Sequence, residues 1–285
     1  MEMFDDGHRL GDLPEMWSPS MVNRYTSCPR AWALIYGRLV PLSALTLSLR
    51  DLPEGGQGLE LSRGSVTGGD TRAQSAGTLA HVGMEAAYLA ARDLSLRTVG
   101  MRMERFEHIA LSAMDAARGE LDEEGVEFAR ECVVLTLRAL PAPLPSAVLG
   151  VESRTRLDLP SGRLMQGIID LALSTGHHVV HVRDWKLTRY RRLPKSRDLL
   201  DDGKMAFYAY SLYRSGAESV TVGLYSLSDQ REVIAEMPEA AVVNRMRRYD
   251  GVINAAEADR EFRPTPRDNN CSSCPVRSSC PVWSK

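Results

Sequence analysis

The chain has 285 residues, of which 44% are apolar and 25% charged, and its formal net charge is −2. That length allows one large or two modest domains with a proper core, and the near-zero charge excludes a globally basic nucleic-acid binder, so any nucleic-acid surface must be local. No apolar run approaches the roughly 18–20 residues of a membrane span. The acidic start Met1-Glu2-Met3-Phe4-Asp5-Asp6 lacks the basic and apolar regions of a signal peptide. A cytoplasmic protein with no membrane partner is therefore expected, and five cysteines in that compartment argue against a disulfide framework.

In chain order, residues 1–17 read as a loosely held arm. Ser18-Pro19-Ser20 is a helix start, with a cap residue followed by proline at the first helical position. The helical stretch Met21 to Tyr36 is interrupted by Cys28-Pro29, which predicts a bend or two short helices, with Gly37 as the stop. Residues 52–77 are rich in glycine and polar residues, a composition that favours a loop, either disordered or acting as a lid.

Three helices are expected next, over residues 76–93, 100–118 and 120–139, the last acidic at its start as a helix N-terminus prefers. Cys132, in the apolar run Cys132-Val133-Val134-Leu135, reads as a core thiol. After Pro141, Pro143 and Pro145 the hydrophobic period changes to that of strands. Strands are expected over 147–159, 164–174 and 178–186, joined by turns at Ser161-Gly162-Arg163 and Thr175-Gly176 into an antiparallel meander. A helix at about 198–214, strands at 218–227 and 231–236, and a helix at 238–258 complete the order. Helices, a meander, then alternating elements indicate an α/β or α+β domain, with a mixed β-sheet flanked by helices.

The third strand ends in Asp184-Trp185-Lys186. Side chains of a strand alternate faces, so Asp184 and Lys186 point the same way. The pair reads either as a surface ion pair at a strand end or as half of a site in which the carboxylate holds a divalent metal and the lysine positions a water. Asp170 ends the preceding strand and can reach the same ion, and hard cations such as Mg²⁺ prefer such oxygen ligands. Glu152, one strand further back, is a candidate third ligand or supporting group. His81 is a candidate nitrogen ligand, which makes Mn²⁺ as suitable as Mg²⁺. Arg183, Lys186, Arg189, Arg191, Arg192, Lys195 and Arg197, with Tyr190 among them, form a basic stretch suited to phosphate contacts and base stacking on single-stranded DNA, or else a solvated loop.

This pattern resembles the PD-(D/E)XK nucleases, and within them the RecB-like exonucleases. The resemblance rests on Gly77-Thr78-Leu79-Ala80-His81, on Gly167-Ile168-Ile169-Asp170 and on Asp184-Trp185-Lys186. A following helix in that family carries Q-x-x-x-Y, and the matching stretch here is Lys204-Met205-Ala206-Phe207-Tyr208, with lysine in place of glutamine. The spacing Cys271-x2-Cys274-x5-Cys280 alone fits either a zinc site or an iron–sulfur cluster. With Cys28 upstream, it resembles the branch of these nucleases that holds a 4Fe-4S cluster, which includes the AddB nuclease domain and exonucleases of CRISPR adaptation.

The resemblance implies a restriction-endonuclease-like core in one RecB-like nuclease domain over 1–285. Its parts would be a mainly helical region at 18–145, a nuclease core at 146–260 and a cluster-binding tail at 261–285 that pairs with Cys28. It implies a metal-dependent DNA exonuclease acting on single-stranded DNA or free ends, in recombination, repair or CRISPR adaptation. Asp170, Asp184 and His81 would bind Mg²⁺ or Mn²⁺, Lys186 would act on the water, and Glu152 and Tyr208 would complete the catalytic group. Arg189, Tyr190, Arg191, Arg192, Lys195, Arg197 and Lys204 would contact DNA. The alternative is a DNA-binding or assembly subunit that works with a helicase or a CRISPR integrase.

Overall fold

The computed structural model describes residues 8–41, 71–93, 99–187, 193–267, 271–280 and 282–283. The chain divides into two compact units, Asp70–Arg248 and the two chain ends, Met1–Gly69 with Tyr249–Lys285.

In the unit of the chain ends, His8–Leu10 (β1) pairs antiparallel with Leu39–Pro41 (β2). The expected loose arm is thus partly a strand, and Trp17 at its end is buried and stacked on Trp32 with ring centroids 5.3 Å apart. Two short helices, Pro19–Ser27 (α1) and Pro29–Ile35 (α2), flank Cys28. Ser18 caps α1 by accepting from the Met21 N–H at 3.3 Å, and each helix opens on a proline, whose missing N–H costs nothing there. Cys28 is extended (φ −161°), so Pro29 ends one helix and begins the next. Trp32 anchors the unit, with Tyr25 edge-on at 5.5 Å and Phe262 at 6.1 Å.

The larger unit begins with helices Thr71–Asp93 (α3), Val99–Ala117 (α4) and Glu123–Ala139 (α5). Residues 71–77, expected as loop, are the first turns of α3, while the rest of the glycine-rich stretch lies outside the described residues. Asp122 caps α5, accepting from the Gly125 N–H at 2.8 Å. The facing sides of these helices bury Leu79, Met84, Phe106, Met114 and Val133 in one core, and Cys132 is buried there as expected.

Five strands follow: Val148–Asp158 (β3), Leu164–Gly176 (β4), Val179–Lys186 (β5), Ser219–Ser226 (β6) and Arg231–Glu236 (β7). They form one sheet in the order β3-β4-β5-β6-β7. The first three are the antiparallel meander, β5 and β6 run parallel, and β6 and β7 are antiparallel, so the sheet is mixed. A parallel neighbour requires a crossover, and helices Ser196–Leu200 (α6) and Gly203–Arg214 (α7) lie in that connection. A last helix, Glu239–Ala258 (α8), is divided between the units at Arg248 and Tyr249. The Trp185 and Tyr225 rings of β5 and β6 join the core of the helices. Helix α7 packs on β4 closely enough that a Cβ at Gly167 would lie 2.7 Å from the Phe207 ring, so only glycine fits there.

Candidate active site

The register places Leu171 opposite Arg183. Asp170 is thus opposite Asp184, on neighbouring strands and on one face. Both are buried carboxylates, at 5% and 0% exposure. Asp170 Oδ2 accepts from the Trp185 backbone N–H at 2.9 Å. From α3, His81 Nδ1 lies 3.6 Å from Asp170 Oδ2 and 3.5 Å from Glu152 Oε1. Its other nitrogen, Nε2, lies 2.9 Å from the Trp185 carbonyl oxygen. A carbonyl can only accept, so Nε2 carries a hydrogen, and Nδ1 faces the two carboxylates, where it can hold a proton or offer its lone pair to an ion. One residue of β5, through its N–H and its C=O, thereby orients both Asp170 and His81.

His81, Glu152 and Asp170 each offer a ligand atom, and these lie within 4.8 Å of one another. Glu152 reaches this group from a left-handed backbone (φ 42°), an uncommon state for a non-glycine residue and one that clusters at functional sites. Asp184 faces two lysines. Lys204 Nζ donates to Oδ1 at 2.6 Å, while Lys186 Nζ lies 2.5 Å from Oδ2. Oδ2 is buried, and both Asp184 oxygens are thus paired with an ammonium group. Oxygen donors and one imidazole nitrogen suit a hard or borderline divalent ion such as Mg²⁺ or Mn²⁺.

Burial, then the charge of Asp184, pushes the Asp170 carboxyl up to about 6. Asp184 is moved the opposite way. Burial alone would raise it, but Lys186 and Lys204 hold it below the usual carboxylate range. His81 is buried, which disfavours its charge, yet the Glu152 hydrogen bond and the Asp170 charge raise its pKa overall. Burial and the Glu152 charge raise Glu85, which lies one turn after His81 on α3. Glu85 is absent from the sequence reading, and its signal was the i, i+4 spacing from His81 that puts both on one helix face.

The other expected residues are placed as follows. Tyr208 is buried and donates to the Ile168 carbonyl, so it ties α7 to β4 two residues before Asp170 and faces no solvent. Lys204 was expected at DNA, but its ammonium is committed to Asp184 and lies 5.3 Å from the Tyr208 ring centroid. Asp202, the α7 cap, accepts from the Lys204 N–H at 2.7 Å and sets the start of that helix. Arg183 belongs to a buried network: it donates to both Glu232 oxygens at 2.8 and 2.7 Å, with His181 Nε2 at 2.9 Å from Oε1. Lys195 and Arg197 are exposed, and Arg189, Tyr190, Arg191 and Arg192 lie outside the described residues.

In the unit of the chain ends, Cys28, Cys271, Cys274 and Cys280 form no disulfide and line one cavity together with Arg24 and Trp283. Cys28 Sγ accepts from the Thr265 N–H at 3.5 Å. The turn Cys274-N–H to Cys271-C=O (3.3 Å) and the short 3₁₀ helix Arg277–Ser279 set the spacing of the last three cysteines.

A five-stranded mixed sheet flanked by helices, with paired acids and a lysine on its central strands, defines a nuclease of the restriction-endonuclease-like fold. The sequence profile of the PD-(D/E)XK nuclease superfamily matches residues 16–281, and the chain belongs to that superfamily. No curated protein matches the chain. Among solved structures, it is similar to the crystal structure of SSO0001, at 16% identity and a TM-score of 0.33 over 64% of this chain and 81% of that one. No helix among the described residues is long and apolar enough to cross a membrane.

Proposed function

We propose that the protein is a metal-dependent DNA exonuclease acting on single-stranded DNA or on DNA ends, in recombination, repair or CRISPR adaptation. The observation that carries this reading is the convergence of His81, Glu152 and Asp170 beside the Asp184–Lys186 pair. His81, Glu152, Asp170 and Asp184 Oδ2 would hold Mg²⁺ or Mn²⁺. Bound there, the ion supplies Lewis acidity toward the phosphate and lowers the pKa of a water. Lys186 extends past Asp184 with 38% of its side chain exposed, so its ammonium can donate to the attacking water and to a phosphate oxygen as charge builds. Asp184 keeps Lys186 in place, and the Trp185 peptide keeps His81 and Asp170 in place. The exposed Lys195 and Arg197, with the Arg189–Arg192 stretch, would hold the phosphate backbone.

The four cysteines would hold a structural 4Fe-4S cluster. They line a single cavity, and one upstream with three closely spaced downstream thiols is the ligand pattern of the cluster-bearing nucleases that the sequence resembles. The cluster would join residue 28 to 271–280, closing a loop of about 240 residues and removing much unfolded-state entropy.

One observation favours a second reading, a binding subunit for a helicase or CRISPR integrase: Lys204 neutralises Asp184 where the family has glutamine. Digestion of end-labelled single-stranded DNA with Mn²⁺ decides between them, using anaerobically purified wild type and Lys186→Ala. Cutting by wild type and a loss of about a thousandfold in the variant are expected. No cutting by wild type that retains its brown chromophore would favour the binding subunit.

A further inference from the structure

Lys204 stands in a position that demands an explanation. It begins α7, fixed by the Asp202 cap, and its ammonium makes a 2.6 Å charge-assisted hydrogen bond to a carboxylate of 0% exposure. The Tyr208 ring sits beneath it at 5.3 Å, a favourable place for a cation. The Tyr208 hydroxyl is in turn anchored on Ile168, two residues from Asp170. The ammonium is therefore held between a buried carboxylate and an aromatic face.

Its effect on the centre can be stated in charges. Among the described residues, Glu85, Glu152, Asp170 and Asp184 gather with His81, Lys186 and Lys204. With His81 neutral, as a metal ligand must be, one divalent ion balances what remains, and a second would leave the pocket positive. The geometry agrees. Lys204 Nζ holds Asp184 Oδ1 at 2.6 Å, and Lys186 Nζ lies 2.5 Å from Oδ2. An ion held by His81, Glu152 and Asp170 could reach Asp184 only at the oxygen it would share with Lys186, and a second ion bridged through Oδ1 would have to displace Lys204. In two-metal sites the ions stand about 3.5–4 Å apart and share a carboxylate between them.

We propose that the Lys204 ammonium is a built-in cation that takes the place of a second metal ion, making this a one-metal centre. The inference rests on the metal-dependent reading of the site. Lys204 acts through Asp184 and is a positioning residue: it holds Oδ1, so that Asp184 does not bridge to a second ion.

The test is a count of bound Mn²⁺ by isothermal titration and by electron paramagnetic resonance, on the full anaerobically purified chain without DNA. Wild type is expected to bind one ion at the centre. Lys204→Gln removes the cation and should bind two, with the exchange-coupled spectrum of a metal pair, while Lys204→Arg should keep one. The order of cleavage in Mn²⁺ should rise from first to second in Lys204→Gln only. Two ions in wild type, or one ion of unchanged affinity in Lys204→Gln, would overturn the inference. Wild type that binds two ions and cuts DNA would overturn it alone, whereas wild type that binds none would overturn both readings.

Discussion

The carboxylate centre and the cysteine-lined cavity differ in what holds their side chains. At the carboxylate centre the scaffold is the sheet. The N–H and C=O of Trp185 fix Asp170 and His81, and Asp184 lies between two lysines, so the geometry exists before any ion arrives. The cysteines sit on connections: Cys28 between two short helices, and Cys271, Cys274 and Cys280 along a turn and a single 3₁₀ helix. Each of the four is only partly buried. Donors on a sheet are preorganised for chemistry, whereas donors on loops gain their order from what they bind.

The sharpest test of that contrast removes the bound group from each centre. With the proposed cluster bound, Cys274→Ser should cost the brown colour and lower the thermal unfolding temperature by ten degrees or more, because the cluster's binding energy would be folding energy there. A Mg²⁺ and Mn²⁺ chelator that spares that proposed cluster should shift unfolding by no more than a degree or two. Equal shifts from both treatments would erase the distinction.

The next effect probes the support behind the carboxylates. Arg183 and His181 on β5 share Glu232 of β7, whose carboxyl they hold down at about 2 against the burial that would raise it. Glu232→Gln leaves a buried guanidinium short of its counter-charge and should destabilise the larger unit by about 3 kcal/mol in urea unfolding. A change under about 0.5 kcal/mol would mean that this network does not brace β5.

Smaller is the effect of Asp170→Asn. The folded-state pKa of about 6 lies above the ordinary 3.8, so the ionised carboxylate opposes folding above pH 6. That penalty fades as pH falls from 6 toward 4, where folded and unfolded states both take up the proton. Metal-free Asp170→Asn should therefore be more stable than wild type by about 2 kcal/mol at pH 8, with the gap closing by pH 4. Mn²⁺ affinity of wild type should fall with the same proton, close to tenfold per pH unit below 6. A variant less stable at pH 8 would show that the site is not strained by charge.

Much of this was legible in the chain because the signals are local. The change of hydrophobic period after Pro145 and the turns at Gly162 and Gly176 give the meander, and Cys28-Pro29 gives the break between α1 and α2. What stayed hidden depends on distant contacts or on backbone state. The left-handed conformation of Glu152, which brings it to His81, has no sequence mark. Lys204 reads as one more basic residue beside a basic stretch until the β5–α7 packing puts it on Asp184. Arg183 looks like part of the DNA-facing charge until β7 supplies Glu232. The helical start of α3 at Thr71 is masked by the glycine-rich text before it.

The proposed ion belongs to His81, Glu152 and Asp170, with Asp184 at its edge. An anomalous difference map from crystals soaked in Mn²⁺ should show one peak, within about 2.3 Å of His81 Nδ1 and of oxygens from Glu152, Asp170 and Asp184. A peak that avoids His81 and Glu152, or a pair of peaks astride Asp184 with Lys204 displaced, would contradict it.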